Sequence, residues 1–490
     1  MQNISPEKLQ VWKKKRTRTF IAFTLVDGIL GMEYSMIMPT IYLYLTTLIN
    51  SSHPMFFYGI IPASFYIANI LSGVIFGRIS DRTRKIWFLH QCGNFLILMG
   101  NLIYAFHFSS LFPLAGRILA GMGAGLRAVI YGEIGRIFDA KEMSRYIAIT
   151  CVGCMVGYVV GPLINIFFKD IDFYIGSWHI NYTNMPGVYM AVMCLVNQII
   201  LFFMVHDLSA EHEFSNESTE DSPLLEKSED FMENKFLDGE MSSETESVES
   251  SRCTESLNCS LKHVPAETDM SDENQKSTNS KYSLPSQTFI WRKLFSSIDC
   301  VLLMTTTFVF GFTVLASDMW YPLIVIKELK WGVTAINGVL IENGVIMIPM
   351  LVLIVLKPLS NKLVFISYIV TIILQIIVFL ILLLLRDYHP NYALNVALLG
   401  TYGVCYSVTA YMHQLPCVTL SLMTPKSSQG YVQGIHQAFF RVGAALGLFI
   451  PPLVYSWFTI DVIFIAALAT VLLFAIVVRR KNIIDPKLLF

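Results

Sequence analysis

Seven ionisable side chains stand within apolar stretches of the chain: Asp27 and Glu33, Arg117 and Arg127, Glu342, and His436 with Arg441. A charge at the centre of a bilayer costs ~2.5–3.5 kcal/mol on insertion scales, so each of them must be compensated or used. An arginine offers a planar fork of donors that holds a carboxylate or an anionic solute. A carboxylate in an apolar medium can take up and release a proton. Asp27 and Glu33 are the obvious partners of Arg117 and Arg127, and Glu342 with Arg441 is the corresponding pair in the second half. Arg127 follows Arg117 by ten residues, nearly three turns along a related helix face. For either arginine, bracing two helices and contacting a solute are equally open readings.

A second chemical cluster is hydrophilic. Gly77-Arg78-Ile79-Ser80-Asp81-Arg82-Thr83-Arg84-Lys85 joins the second and third apolar runs. The glycine lets one helix end close to its neighbour. The Asp81 carboxylate can answer Arg82, Arg84 or Lys85. Any basic loop can also act as a cytosolic anchor.

These residues need helices to carry them. The chain has 490 residues, 54% hydrophobic and 14% charged, with mean hydropathy +0.56, too apolar for an ordinary water-soluble globule. Apolar runs long enough to span a bilayer fall near 19–45, 57–76, 86–107, 110–131, 146–168, 187–205, 299–317, 333–355, 364–385, 394–415, 431–454 and 461–478. The expected fold is an all-α membrane protein, twelve transmembrane helices in two six-helix bundles. Residues 1–18 form a basic head, 19–205 the first bundle, 206–294 an acidic linker, 295–478 the second bundle and 479–490 a tail. No cleavable leader is expected before the first span.

The formal net charge of −1 hides an asymmetry. Residues 207–281 hold twenty Asp/Glu against six Lys/Arg, a balance of −14 that leaves +13 elsewhere. That composition is expected to leave the linker disordered. The head, the tail and the loops after spans 2, 4, 8 and 10 hold twenty Lys/Arg, the opposite loops four. Both termini and the linker are therefore expected in the cytosol. Sequons at Asn50 and Asn181 fall in loops of the other side and are candidate glycosylation sites. No cysteine lies in a loop of that side, so no disulfide is expected there.

Two stretches of small residues shape the helices. Arg117 is followed by Gly121, Gly123 and Gly125, and span 5 reads Gly153-x-x-x-Gly157-x-x-x-Gly161-Pro162. Glycine at every fourth position makes a face for close helix packing, and Pro162 can kink it. The linker also carries Glu220-Asp221-Ser222-Pro223-Leu224-Leu225, an acidic-dileucine pattern that suits clathrin adaptors. Asp485 to Leu489 has a shorter form of the same pattern.

The loop from Gly77 to Lys85 resembles the major facilitator superfamily motif between helices two and three, with Gly77, Asp81, Arg82, Arg84 and Lys85 in matching places and Thr83 where that motif has glycine. The Arg117 and Gly157–Pro162 stretches resemble further motifs of that superfamily, tied there to proton transfer and antiport; Ile164 and Asn165 replace the final glycines of the second. The resemblance implies that spans 1, 4, 7 and 10 line a cavity and 3, 6, 9 and 12 sit outside it. Spans 3, 6, 9 and 12 lack Asp, Glu, Lys and Arg in their apolar interiors, which agrees. The stretches Arg117 to Arg127, Gly157 to Pro162, Thr424 to Gly430 and Arg441 to Gly447 also resemble the lysosomal ceroid-lipofuscinosis branch (that of domain-containing protein eight), although the long acidic linker and its dileucine depart from it.

The resulting expectation is a secondary-active transporter of the endolysosomal membrane. It moves a small organic or anionic solute by alternating access, with proton coupling open to it. Asp27, Glu33, Arg117, Arg127, Glu342 and Arg441 are the candidate solute or coupling residues, and Gly77, Asp81, Arg82, Arg84 and Lys85 the candidate gate. Gly121, Gly125, Gly157, Gly161 and Pro162 are the candidate packing residues. An anion-conducting channel of the same fold and a non-transporting membrane scaffold are the alternatives. The expected partners are the lipid bilayer, the solute and clathrin adaptors. No nucleotide-binding motif, metal-spaced cluster, cofactor site, enzymatic nucleophile or nucleic-acid surface is read in the sequence.

Overall fold

The computed structural model describes residues 6–138, 140–210, 287–356, 360–388, 391–411, 414–423 and 429–485. Each expected span is helical over its described residues, apart from a turn at Met38–Thr40 in span 1, because in lipid the backbone must satisfy its own hydrogen bonds. The first bundle consists of α1 (Pro6–Ile37), α2 (Pro54–Thr83), α3 (Ile86–Tyr104), α4 (Leu111–Ala124) running on into α5 (Leu126–Ile137), α6 (Ala140–Ile166) and α7 (Met185–Met204). After a short lead-in helix, α8 (Gln287–Ser296), the second bundle consists of α9 (Ile298–Leu323), α10 (Val333–Leu356), α11 (Asn361–Asp387), α12 (Tyr392–Tyr411), with α13 (Gln414–Met423) beyond it, α14 (Gln429–Leu453) and α15 (Phe458–Val478). A final turn, α16, covers Arg480–Ile484.

Three boundaries differ from the sequence reading. The basic head is helical from Pro6 and continuous with span 1. Span 7 does not stop at residue 317 but runs to Leu323 and then through a π-turn, Ile324–Glu328. Between spans 5 and 6 the chain forms a hairpin, β1 (Asp172–Ile175) against β2 (Trp178–Asn181), turned by Gly176 at φ 63°. Of the acidic linker, residues 211–286 lie outside the described region, and with them Glu220, Leu224 and Leu225.

The two halves repeat in structure where their sequences barely do. Span 1 ends in a π-turn at Tyr44–Leu48, as span 7 does at Ile324–Glu328. Each is closed by the same pair of bonds, Ile49 N to Tyr44 O (3.1 Å) and Ser51 N to Leu45 O (2.9 Å), against Leu329 N to Ile324 O (3.1 Å) and Trp331 N to Val325 O (3.0 Å). Each is followed by a left-handed residue, Asn50 at φ 51° and Lys330 at φ 57°, which turns the chain and satisfies the last carbonyls.

The same repeat governs packing. A Cβ at Gly157 would run into the backbone of Gly28 and lie 2.8 Å from Met32 N. One at Gly161 would lie 2.8 Å from Met32 O. In the second half a Cβ at Gly443 or Gly447 would strike the backbone of Phe308 or Phe312. Spans 1 and 5, and spans 7 and 11, therefore approach backbone to backbone.

The core is distributed unequally along the helix axes. At the ends away from the chain termini, Ile37, Ile41 and Tyr58 of the first half pack in one cluster with Leu315, Trp320 and Ile324 of the second. At the terminus-bearing ends, the first-half cluster around Phe23, Leu126 and Ile134 and the second-half cluster around Leu303, Leu420 and Val432 share no buried residues. The halves thus share one buried cluster at one end and keep their own at the other, while span 2 packs on span 11 and span 5 on span 8. Toward lipid the helices present large apolar side chains such as Phe203, Phe464 and Phe474.

Candidate functional site

Span 1 delivers two carboxylates to span 4. Glu33 and Arg117 form a contact of 2.6 Å between Oε1 and Nη2, with Glu33 1% and Arg117 4% exposed. Asn101 of span 3 completes a triangle: its Nδ2 donates to Glu33 Oε1 (2.9 Å) and its Oδ1 accepts from Arg117 Nη2 (2.8 Å). The guanidinium also lies over the rings of Tyr104 and Phe65, at 5.2 and 5.5 Å. These neighbours replace the hydration that both charges lost. Arg117 is thus closed in by its own half, beside a cleft of only about 20 Å³ that it shares with Tyr34 and Tyr66.

The other pair is more open. Arg127 Nε donates to Asp27 Oδ1 at 2.8 Å, and its Nη2 reaches Cys154 Sγ at 3.4 Å. The Asp27 side chain is 1% exposed while that of Arg127 is 30% exposed. Cys154 thus touches a cation.

The second half behaves differently. Glu342 and Arg441, expected to pair, do not. The Glu342 carboxylate lies against Gly403 of span 10, where it would clash with any Cβ. The Arg441 guanidinium points across to the first half, with Nη1 3.6 Å from the place a Cβ on Gly73 would occupy. It feels the charge of Arg127 and the hydroxyls of Tyr131 and Tyr66. Among the described residues no carboxylate lies within 4 Å of it.

The sequence reading missed a carboxylate that reaches the first half. Asp318 lies one position past the expected end of span 7, in a helix that in fact continues. Its two oxygens accept hydrogen bonds from Tyr34 of span 1 (2.7 Å) and Tyr406 of span 10 (2.6 Å). No cation lies within 4 Å of it among the described residues. The signal was present: an Asp three residues before Tyr321-Pro322, in a stretch still apolar beyond it.

At the terminus-bearing end the motif loop is arranged around a residue that the sequence reading did not single out. Arg136, at the end of span 4, donates from Nη1 to Asp81 Oδ1 (2.7 Å), from Nη2 to Ser80 Oγ (2.8 Å) and from Nε to Glu133 Oε2 (3.1 Å). Glu133 in turn accepts from the Ser209 N–H at 3.0 Å. Arg84 lies 3.8 Å from Asp81, in a left-handed conformation that ends α2, whereas Arg82 and Lys85 form no ion pair with it. Gly77 does not serve close packing, since a Cβ there would meet nothing within 4 Å.

A family model described as Major Facilitator Superfamily matches residues 23–419. The chain belongs to that superfamily. Solved structures agree in fold. A D-xylose-proton symporter aligns with a TM-score of 0.58 at 13% identity, over 93% of this chain and 97% of that one. The human organic anion transporter MFSD10 aligns at 0.57 and 11%, over 94% and 99%. The inward-open xylose transporter XylE from E. coli aligns at 0.60 and 13%, over 92% and 94%. No curated protein sequence matches the chain. Fold and family are thus those of the superfamily's transporters, a multi-pass membrane protein.

Within this superfamily member the remaining candidates fall as follows. Gly121 and Gly125 face span 2, where a Cβ would strike Phe65 and Ser72. Pro162 lies inside the helix of span 5 without ending it. Asn50 is exposed in the left-handed turn after span 1. Asn181 closes the hairpin, its Oδ1 accepting from the Thr183 hydroxyl at 2.6 Å.

Proposed function

We propose that the chain is a secondary-active transporter that carries a small organic or anionic solute by alternating access. The observation that carries this reading is Arg441, whose guanidinium reaches from the second half to Gly73 of the first with no carboxylate within 4 Å among the described residues. A cation so placed is stabilised by an anionic group that enters between the halves. Arg127, partly engaged by Asp27, is positioned to assist. The organic anion transporter among the fold neighbours is consistent with such cargo.

With both termini cytosolic, the cluster shared by the two halves lies on the lumenal side, which supports an inward-facing reading. Asp27, Glu33 and Asp318 are carboxylates that can carry a coupling proton. We place the protein in the endolysosomal membrane, on the strength of Glu220, Leu224 and Leu225, with clathrin adaptors as readers. Asn50 and Asn181 then face the lumen as glycosylation sites.

An untargeted metabolite profile of lysosomes from cells lacking the chain tests this. One or a few small charged solutes should change severalfold and return to normal with the wild-type chain but not with Arg441→Gln. A profile unchanged by the loss of the chain refutes the reading.

A further inference from the structure

The charges of the two bundles balance in different ways. In the first half each intramembrane arginine has its carboxylate: Arg117 has Glu33 and Arg127 has Asp27. In the second half Asp318 and Arg441 both point at the first half, and neither has an opposite charge within 4 Å among the described residues. An acid and a base that are unpaired on the same face of one bundle form the two ends of a receptor. Two such charges kept apart leave part of their burial cost uncompensated, even with two tyrosines bonded to Asp318, and a solute with both signs offsets both at once.

Their separation follows from the helices they touch. Asp318 is bonded to Tyr34, which stands seven residues after Asp27 on span 1. Arg441 adjoins Gly73, seven residues after Tyr66 on span 2. Tyr66 is within electrostatic reach of both Asp318 and Arg441. The two poles thus contact different levels of the first half, Asp318 at Tyr34 and Arg441 at Gly73, with Tyr66 between them.

Aromatic rings line the acidic pole. Tyr34 and Tyr158 lie with centroids 5.5 Å apart, and Tyr402 and Tyr406 stack at 5.7 Å. Ring faces beside a carboxylate suit an ammonium group, which gains from both. The basic pole, beside the Tyr131 and Tyr66 hydroxyls, suits a carboxylate or phosphate.

We propose that the space between the halves binds a zwitterion, its ammonium group at Asp318 and its acid group at Arg441. This rests on the transporter reading above and narrows its cargo from any small organic or anionic solute to one that carries both signs. Glu342 is the rival acid, but it faces span 10 rather than the first half.

The test uses the full chain in proteoliposomes and three probes of equal length: labelled 4-aminobutyrate, butyrate and butylamine. Saturable uptake of 4-aminobutyrate is expected, at least ten-fold preferred over each singly charged probe. Asp318→Asn should remove the preference over butyrate and Arg441→Gln the preference over butylamine, with Asp318→Glu and Arg441→Lys recovering part of each. Wild-type uptake of butyrate equal to that of 4-aminobutyrate overturns the inference and leaves the anion-carrier reading standing. Saturable uptake of none of the three overturns it too, while the lysosomal profile judges the broader reading separately. Loss of the amine preference in Glu342→Gln but not in Asp318→Asn overturns the assignment of the acidic pole.

Discussion

The Tyr34 hydroxyl of span 1 donates a 2.7 Å hydrogen bond to Asp318 of span 7, joining the two halves of the chain across the space between them. Tyr406 holds the other carboxylate oxygen from within the second half. Alternating access requires that this link break and re-form as the halves rock, because Tyr34 and Asp318 belong to different bundles. A hydrogen bond to a charged group contributes about 1.5–3 kcal/mol, enough to set which state predominates.

Tyr34→Phe removes that bond and little else. The expected outcome is a shift away from the joined arrangement, read as faster maleimide labelling of a single cysteine placed at Ile41, now within the shared core. The rise should reach about ten-fold, the ratio that corresponds to 1.4 kcal/mol. Unchanged labelling would show that the apolar cluster alone holds the halves.

Arg117 braces its bundle. Arg117→Ala leaves Glu33 buried without its cation, which costs about 3–5 kcal/mol. Thermal unfolding in detergent should fall by several degrees in this variant. The double variant Arg117→Met with Glu33→Leu should recover most of the loss, because no charge is then stranded. A double variant as unstable as the single one would instead point to a direct role in the solute path.

Arg136 should matter more than Arg82 to the rate of transport. Arg136 ties Asp81, Ser80 and Glu133 together at the terminus-bearing end, whereas Arg82 is exposed and forms no ion pair with Asp81. Arg136→Ala is expected to lower the initial rate at least five-fold and Arg82→Ala less than two-fold, with equal amounts of reconstituted protein. The reverse order would return the gate to the loop itself.

Composition and hydropathy alone determined the twelve spans and the two-bundle plan, because a bilayer admits few ways to satisfy a backbone. The glycine stripe of span 5 was equally legible, since close approach requires the absence of a side chain wherever two helices touch. That Asp27 and Glu33 would answer Arg117 and Arg127 was readable, because few other charges were within reach, but which carboxylate meets which arginine was decided by the structure. Only the tertiary structure decided that Glu342 and Arg441 stay apart, since helix rotation, which spacing within one span does not fix, turns one toward span 10 and the other toward span 2. It also moved Asp318 from a presumed loop into the interface, because span 7 continues to Leu323 and carries the carboxylate between Tyr34 and Tyr406. Hydropathy records where oil ends, whereas the pairing of charges depends on which helix faces which.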